Sequence, residues 1–161
     1  MSGLNVRAAT PGDVPTILRF IKELAEYERA PEEAIATPAL LHEALFSARP
    51  ACEAFIGEVD GRAEGFALFF HNFSTWKGKR GVYLEDLYVT PAARGKGLGK
   101  ALLSRVAKVA VERGCPRLEW NVLDWNEPAL HFYRSLGAEP LTEWTVHRVT
   151  GEALTKLASG S

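Results

Sequence analysis

Two carboxylates interrupt an otherwise apolar and aromatic run, Val82-Tyr83-Leu84-Glu85-Asp86-Leu87-Tyr88-Val89. β-branched and aromatic residues favour a strand there, and a carboxylate inside a sheet is costly unless it has a partner or a task. Burial raises the proton affinity of a carboxylate, which suits it to general-base work near neutral pH, directly or through a water. Glu85 is the candidate base. Alternation along a strand predicts that Asp86 points to the opposite sheet face. Asp86 reads equally well as a carboxylate held by backbone N–H groups or a surface arginine.

The second chemical feature is Arg94-Gly95-Lys96-Gly97-Leu98-Gly99-Lys100, which opens a helical pattern. Glycines let backbone N–H groups approach an anion at a helix start, and Arg94, Lys96 and Lys100 add positive charge. Two nucleotide loops fail on spacing. The ATP-binding loop needs glycine where Arg94 stands and Ser or Thr where Ala101 stands, and the dinucleotide fingerprint needs G-x-G-x-x-G, which Gly95, Gly97 and Gly99 do not make. The pattern that remains is Arg-x-x-Gly-x-Gly between an apolar strand and a helix.

The elements that must position these groups follow from pattern. Residues 6–9 suit a short strand, and Thr10, Pro11, Gly12 and Asp13 supply a turn and a helix cap. Ile17, Phe20, Ile21 and Leu24 recur at helical spacing up to about Glu28. Thr37-Pro38 starts a short second helix. Asp60-Gly61 is a hairpin turn between two strands, the second centred on residues 65–70. The glycine loop leads into a helix ending near Gly114, followed by a strand over 118–123, a helix from Asn126 to Leu136 and a last strand over 144–149. The class is α/β, with a mixed sheet covered by helices on both faces.

Composition bounds the rest. The chain has 161 residues, 47% of them apolar, which suits one domain with an ordinary core. Nineteen Lys and Arg against 20 Asp and Glu argue against disorder and against a general affinity for nucleic acid or membranes. Cys52 and Cys115 form no CxxC, and His42, His71, His131 and His147 have no ligand spacing, so neither a disulfide framework nor a metal site is expected. Arg7, Asp13 and Arg19 break the first twenty residues, and no run approaches a membrane span. A cytoplasmic protein is expected.

Taken together, the chain resembles the GCN5-related N-acetyltransferase (GNAT) superfamily, and within it the spermidine/spermine and thialysine acetyltransferases. The likeness rests on residues 22–28, Ser74-Thr75-Trp76-Lys77-Gly78-Lys79, residues 83–89, residues 94–99, and Leu123-Asp124-Trp125-Asn126 leading to Phe132-Tyr133. It implies one N-acetyltransferase domain over residues 1–161, with a mostly antiparallel sheet and splayed central strands. It also implies that acetyl-CoA is the cosubstrate, its pyrophosphate on the backbone from Arg94 to Lys100 and its pantetheine along Leu87, Tyr88 and Val89, with Asn126 donating to the same arm while capping its helix. Tyr133 would be the general acid for the departing thiolate, and Glu28 and Trp76, with Glu85, would surround the amine. Where the polyamine enzymes carry an aspartate this chain has Ser74, as the thialysine branch does, which points to a small lysine-like amine ahead of spermidine. The resemblance further implies a homodimer. A protein or peptide N-acetyltransferase and a non-catalytic acyl-CoA-binding module are the alternatives. Glu85 and Tyr133 argue against the second, and the Glu28 and Trp76 loops suit a small molecule better than a peptide. On this reading Tyr133→Phe loses about a hundredfold in turnover while acetyl-CoA binding, followed by calorimetry, is kept.

Overall fold

Asp60 and Gly61 adopt φ of 50° and 80°, the left-handed pair that closes a two-residue hairpin with the natural strand twist. In the computed structural model, which describes residues 3–160, this turn joins β2 (Glu53–Val59) to β3 (Arg62–Ser74). Around it stand β1 (Leu4–Ala8), α1 (Val14–Tyr27), α2 (Pro38–Phe46), β4 (Lys79–Val89), α3 (Leu98–Glu112) and β5 (Leu118–Trp120). The strands form one sheet in the order β1-β2-β3-β4-β5. Its first three pairings are antiparallel and β4–β5 is parallel.

Both helical layers follow from strand alternation. Ala54, Ile56, Phe66, Leu68 and Tyr88 face α1 and α2, where they bury Val14, Ile17, Phe20, Leu41 and Leu45. The opposite face meets α3: Phe55 stacks on Phe69 at 5.5 Å, and Arg105 of α3 lies over the Phe55 ring. Leu98, Leu102, Leu103 and Val106 are the buried stripe of α3. That helix approaches closely because Gly57 and Gly65 have no side chains. A Cβ at Gly57 would stand 2.8 Å from Leu98 Cδ1, and one at Gly65 only 2.6 Å from the Tyr88 carbonyl.

Caps behave as their residue types dictate. Thr37 Oγ1 accepts the Leu40 N–H with Pro38 behind it. Asp13, before α1, accepts from the Thr10 N–H and from both terminal nitrogens of Arg7. Arg7 holds the Asp13 carboxyl down to about 2, so α1 is tied to β1 at any ordinary pH.

The chain divides into two compact units, Met1–Leu123 and Asp124–Ser161. The sheet and α1–α3 make the first. The second contains α4 (Glu127–Ser135) and α5 (Gly151–Ala158). Two expectations change here. The strand expected over 118–123 stops at Trp120. The last strand, expected over 144–149, is irregular chain, with Trp144 65% and Val146 72% exposed. Alternating apolar residues become a strand only beside a partner that takes their backbone groups, and among the described residues the second unit has helices alone.

The two interlayer glycines differ in what a side chain would meet. Gly65→Ala, which drives a methyl into a backbone carbonyl, is expected to lose about 2–3 kcal/mol. Gly57→Ala, which meets the end of a leucine side chain, is expected to lose about 1 kcal/mol. Urea denaturation of both variants gives the comparison.

Candidate active site

The pairing of β3 with β4 is irregular at one place. Leu68 opposes Asp86 and Phe69 opposes Leu84, so Glu85 is an extra residue in β4, a β-bulge. Directly opposed residues share a sheet face. Leu68 belongs to the α1/α2 core, so Asp86 points that way. Phe69 stacks with Phe55 under α3, so Leu84 points to the other side. Glu85 alternates back from Leu84 to the α1/α2 face, and Asp86 remains there with it. Simple alternation, which predicted opposite faces for the two carboxylates, is therefore overturned by one inserted residue.

A third carboxylate, Glu28, caps the end of α1 on the same face. Burial, then the charges of Glu85 and Glu28, push Asp86 up to about 7. Burial and then Glu85 raise Glu28. Burial also raises the Cys52 thiol, with Asp86, Glu53 and Glu85 adding to it, and the Tyr83 phenol, with Glu85 and Glu119 adding. The burial anticipated for Glu85 thus falls on Asp86, and Glu85 is exposed. Among the described residues no side-chain hydrogen bond or ion pair neutralises Glu28, Glu85 or Asp86. An uncompensated negative face of this kind attracts a cation and can take a proton from it.

The same bulge governs the free edge of β4. β5 pairs only with Val82, Tyr83 and Leu84, so the two strands part where the bulge begins. Thr90 N donates to Glu64 O, which turns the backbone of Tyr88 and Thr90 toward β3. Leu87 and Val89 therefore present theirs to the opened edge, and there Val89 O accepts from Arg94 Nε at 3.0 Å. Tyr88 contributes differently from its neighbours: its phenol donates to Glu23 Oε1 at 2.7 Å inside the α1 face.

Past the strand, Gly95 and Gly97 take φ of 81° and 88°, a conformation that other residues adopt at a cost. Gly97 is the cap of α3. The first bond into the helix is from Ala101 N to Gly97 O, so the N–H groups of Leu98, Gly99 and Lys100 belong to the unshared first turn, where anions bind. Buried Leu98 anchors this turn, whereas Gly95, Lys96 and Lys100 are exposed. Arg94 is also exposed but lies over two aromatic rings, its guanidinium 5.3 Å from the Tyr27 ring and 5.9 Å from the Tyr88 ring. It braces the loop, and Lys96 and Lys100 supply outward charge.

Trp76 lies in the β3–β4 hairpin and is 85% exposed. Ser74 Oγ accepts the Lys77 N–H and Ser74 O accepts from Gly78 N, so Ser74 is spent on shaping the turn. In the second unit Asn126 Oδ1 accepts the Ala129 N–H and caps α4. Tyr133 lies half-buried on that helix, its ring 5.5 Å from Phe132. Asp86, Tyr83 and Cys52 belong to the acidic face although sequence reasoning did not select them. Only the carboxylate pair itself was a usable sign, because a bulge has no residue signature here.

Residues 18–138 match the Acetyltransferase (GNAT) family. The chain is 39% identical to the thialysine N-epsilon-acetyltransferase of Bos taurus over 98% of this chain and 99% of that protein. It is 34% identical to the L-ornithine N5-acetyltransferase NATA1 of Arabidopsis thaliana, over 92% and 85% of the respective lengths. The solved structure of an integron cassette protein from the V. cholerae mobile metagenome superposes with a TM-score of 0.80 at 28% identity, covering 98% of this chain and 99% of that one. A strand, a glycine loop and a helix beside a parted sheet edge are thus found in a chain that belongs to the GNAT family. It is an acetyl-CoA-dependent amine N-acetyltransferase. No helix among the described residues is long and apolar enough to cross a membrane.

The raised Asp86 carboxyl has a consequence for stability. Its folded value of about 7 exceeds the ordinary 3.8, so folding takes up a proton and the native state loses stability as pH rises across that interval. Asp86→Asn removes the loss. Its stabilising effect should grow by on the order of 2–3 kcal/mol between about pH 5 and about pH 8, measured by urea unfolding of the ligand-free enzyme.

Proposed function

We propose that this enzyme acetylates a primary amine of a small lysine-like compound, with thialysine preferred over spermidine. One observation carries the reading: Glu28, Glu85 and Asp86 share one face without any arginine or lysine to neutralise them among the described residues. That face suits a compact cation. Ser74, turned into its own hairpin, adds no carboxylate for the far end of a long polycation. The names of the bovine and plant relatives, which act on thialysine and ornithine, support the same substrate class.

The chemistry requires a neutral amine, a held thioester and a proton for the thiolate. An amine of pKa ~10.4 is unprotonated in only about one molecule per thousand at neutral pH, a cost of ~4 kcal/mol. Glu85 lowers that cost by accepting the ammonium proton, directly or through a water, while Glu28 and Trp76 hold the rest of the substrate. Arg94, Gly95, Lys96, Gly97, Leu98, Gly99 and Lys100 bind the pyrophosphate of acetyl-CoA. Leu87 and Val89 bond its pantetheine through the opened edge of β4, assisted by Asn126. Tyr133 gives its phenolic proton to the leaving sulfur. In this reading residues 1–161 act as one N-acetyltransferase domain in a cytoplasmic homodimer, with no nucleic-acid or membrane partner.

The decisive experiment compares kcat/KM for thialysine, ornithine, lysine, spermidine and a lysine peptide by release of free thiol. Thialysine is expected to exceed spermidine by about tenfold or more, and a large spermidine preference would reject the assignment. Glu85→Gln should lower turnover more at low pH, where the amine depends on a base, than at high pH. An unchanged pH–rate profile removes Glu85 from that role.

A further inference from the structure

Four carboxylates elsewhere in the first unit are matched by cations. Arg7 spans Asp13 and Glu58, Arg113 grips both oxygens of Glu53, and Arg19 lies 3.6 Å from Glu23. The face made by the bulge has no such match among the described residues, and its most buried member is Asp86, directly behind Glu85 in the chain and on the same side of the sheet. Asp86 is half-buried beside two like charges, and a carboxylate kept there only for stability would be expected to have a cationic partner.

Resting on the reading of Glu85 as the group that meets the ammonium, we propose that Asp86 is a positioning residue for the reaction: it receives, through Glu85 or a shared water, the proton that the ammonium gives up, and holds it while the neutral nitrogen attacks. The balance is simple. The ammonium and the Asp86 carboxylate become an amine and a carboxylic acid. The N–C bond forms and the C–S bond breaks, and the sulfur takes the Tyr133 proton. The extra proton left on nitrogen then restores the phenol. Amide and free thiol leave, and Asp86 returns its proton to solvent.

The surroundings of Asp86 favour this order of events. Glu85, Tyr83 and Tyr88 lie on its own strand, and the Tyr88 phenol is engaged by Glu23. α1 contributes Glu28, Glu23 and Arg19, the last paired with Glu23. Cys52 precedes β2, and β3 contributes apolar Leu68. α2 contributes Leu41 and Leu45, its His42 and Glu43 being exposed. Arg94 lies over Tyr27 and Tyr88. The charges acting on Asp86 are those of Glu85 and Glu28, both negative, and together with burial they favour its protonated form.

The test is the pH profile of kcat/KM for the amine, with acetyl-CoA saturating, for the wild type, Asp86→Asn, Asp86→Glu and Glu85→Gln. The wild type should show an acidic limb near the Asp86 value of about 7. Asp86→Asn should lower kcat roughly 10- to 100-fold and remove that limb, with KM for acetyl-CoA unchanged. Asp86→Glu should restore the limb at a displaced midpoint. A limb retained in Asp86→Asn, with kcat lowered by one factor at every pH, overturns the proposal. If Glu85→Gln alone removes the limb, Asp86 is excluded and Glu85 stands as base. If Glu85→Gln keeps the limb while Asp86→Asn removes it, the reading of Glu85 as base fails and transfer to Asp86 by way of water is upheld. Should Asp86→Asn not fold, as judged by near-ultraviolet circular dichroism, Asp86→Glu decides, and an undisplaced limb overturns the relay.

Discussion

A single extra residue in β4 reorganises everything downstream of it. Before Glu85, the strand alternates so that Leu84 faces α3 and its backbone pairs with Trp120 of β5. After it, both alternations are shifted by one place. Asp86 joins Glu85 on the α1 side, and Leu87 and Val89 turn their backbone toward the edge that β5 has left. A bulge costs one ladder position and bends the strand. In return the acidic face and the opened backbone edge arise from the same local distortion, a few residues apart.

The acidic face is the electrostatic counterpart of this distortion. Asp13 shows what the chain does with a carboxylate meant for stability: Arg7 and Thr10 bond it, and it is held down to about 2. Asp86, with like charges as neighbours, is pushed the other way to about 7. The separation of these two aspartates follows from environment alone, since the side chains are identical. Groups pushed toward neutral pH beside like charges are those most easily altered by the arrival of a cation.

The glycine loop depends on packing on both of its sides. Buried Leu98 and Leu102 seat the first turns of α3 against the sheet where Gly57 and Gly65 leave room. On the other side Arg94 ties the loop to Val89 O and to two tyrosine rings. The unshared N–H groups of that turn are thereby held in place between two packed elements, the arrangement an anion site needs.

Much of this was legible in the residue order. Asp60-Gly61, Thr37-Pro38, the stripe of Ile17 and Phe20, and the glycine loop each specify their local geometry through short-range sterics and capping, which is why the hairpin, α1, α2 and α3 form where pattern places them. The candidate residues, too, were visible as types: Glu85, the 94–100 loop, and Asn126 as a cap. Tertiary structure alone decided which neighbour stood across from each strand residue. Register is set by cross-strand packing of the Leu68, Phe69, Leu84 and Asp86 environments, so no one-dimensional pattern reveals the bulge or that Asp86 is the more buried of the two carboxylates. The irregular 144–149 segment shows the same limit, because a strand is a property of two segments and a sequence describes them one at a time.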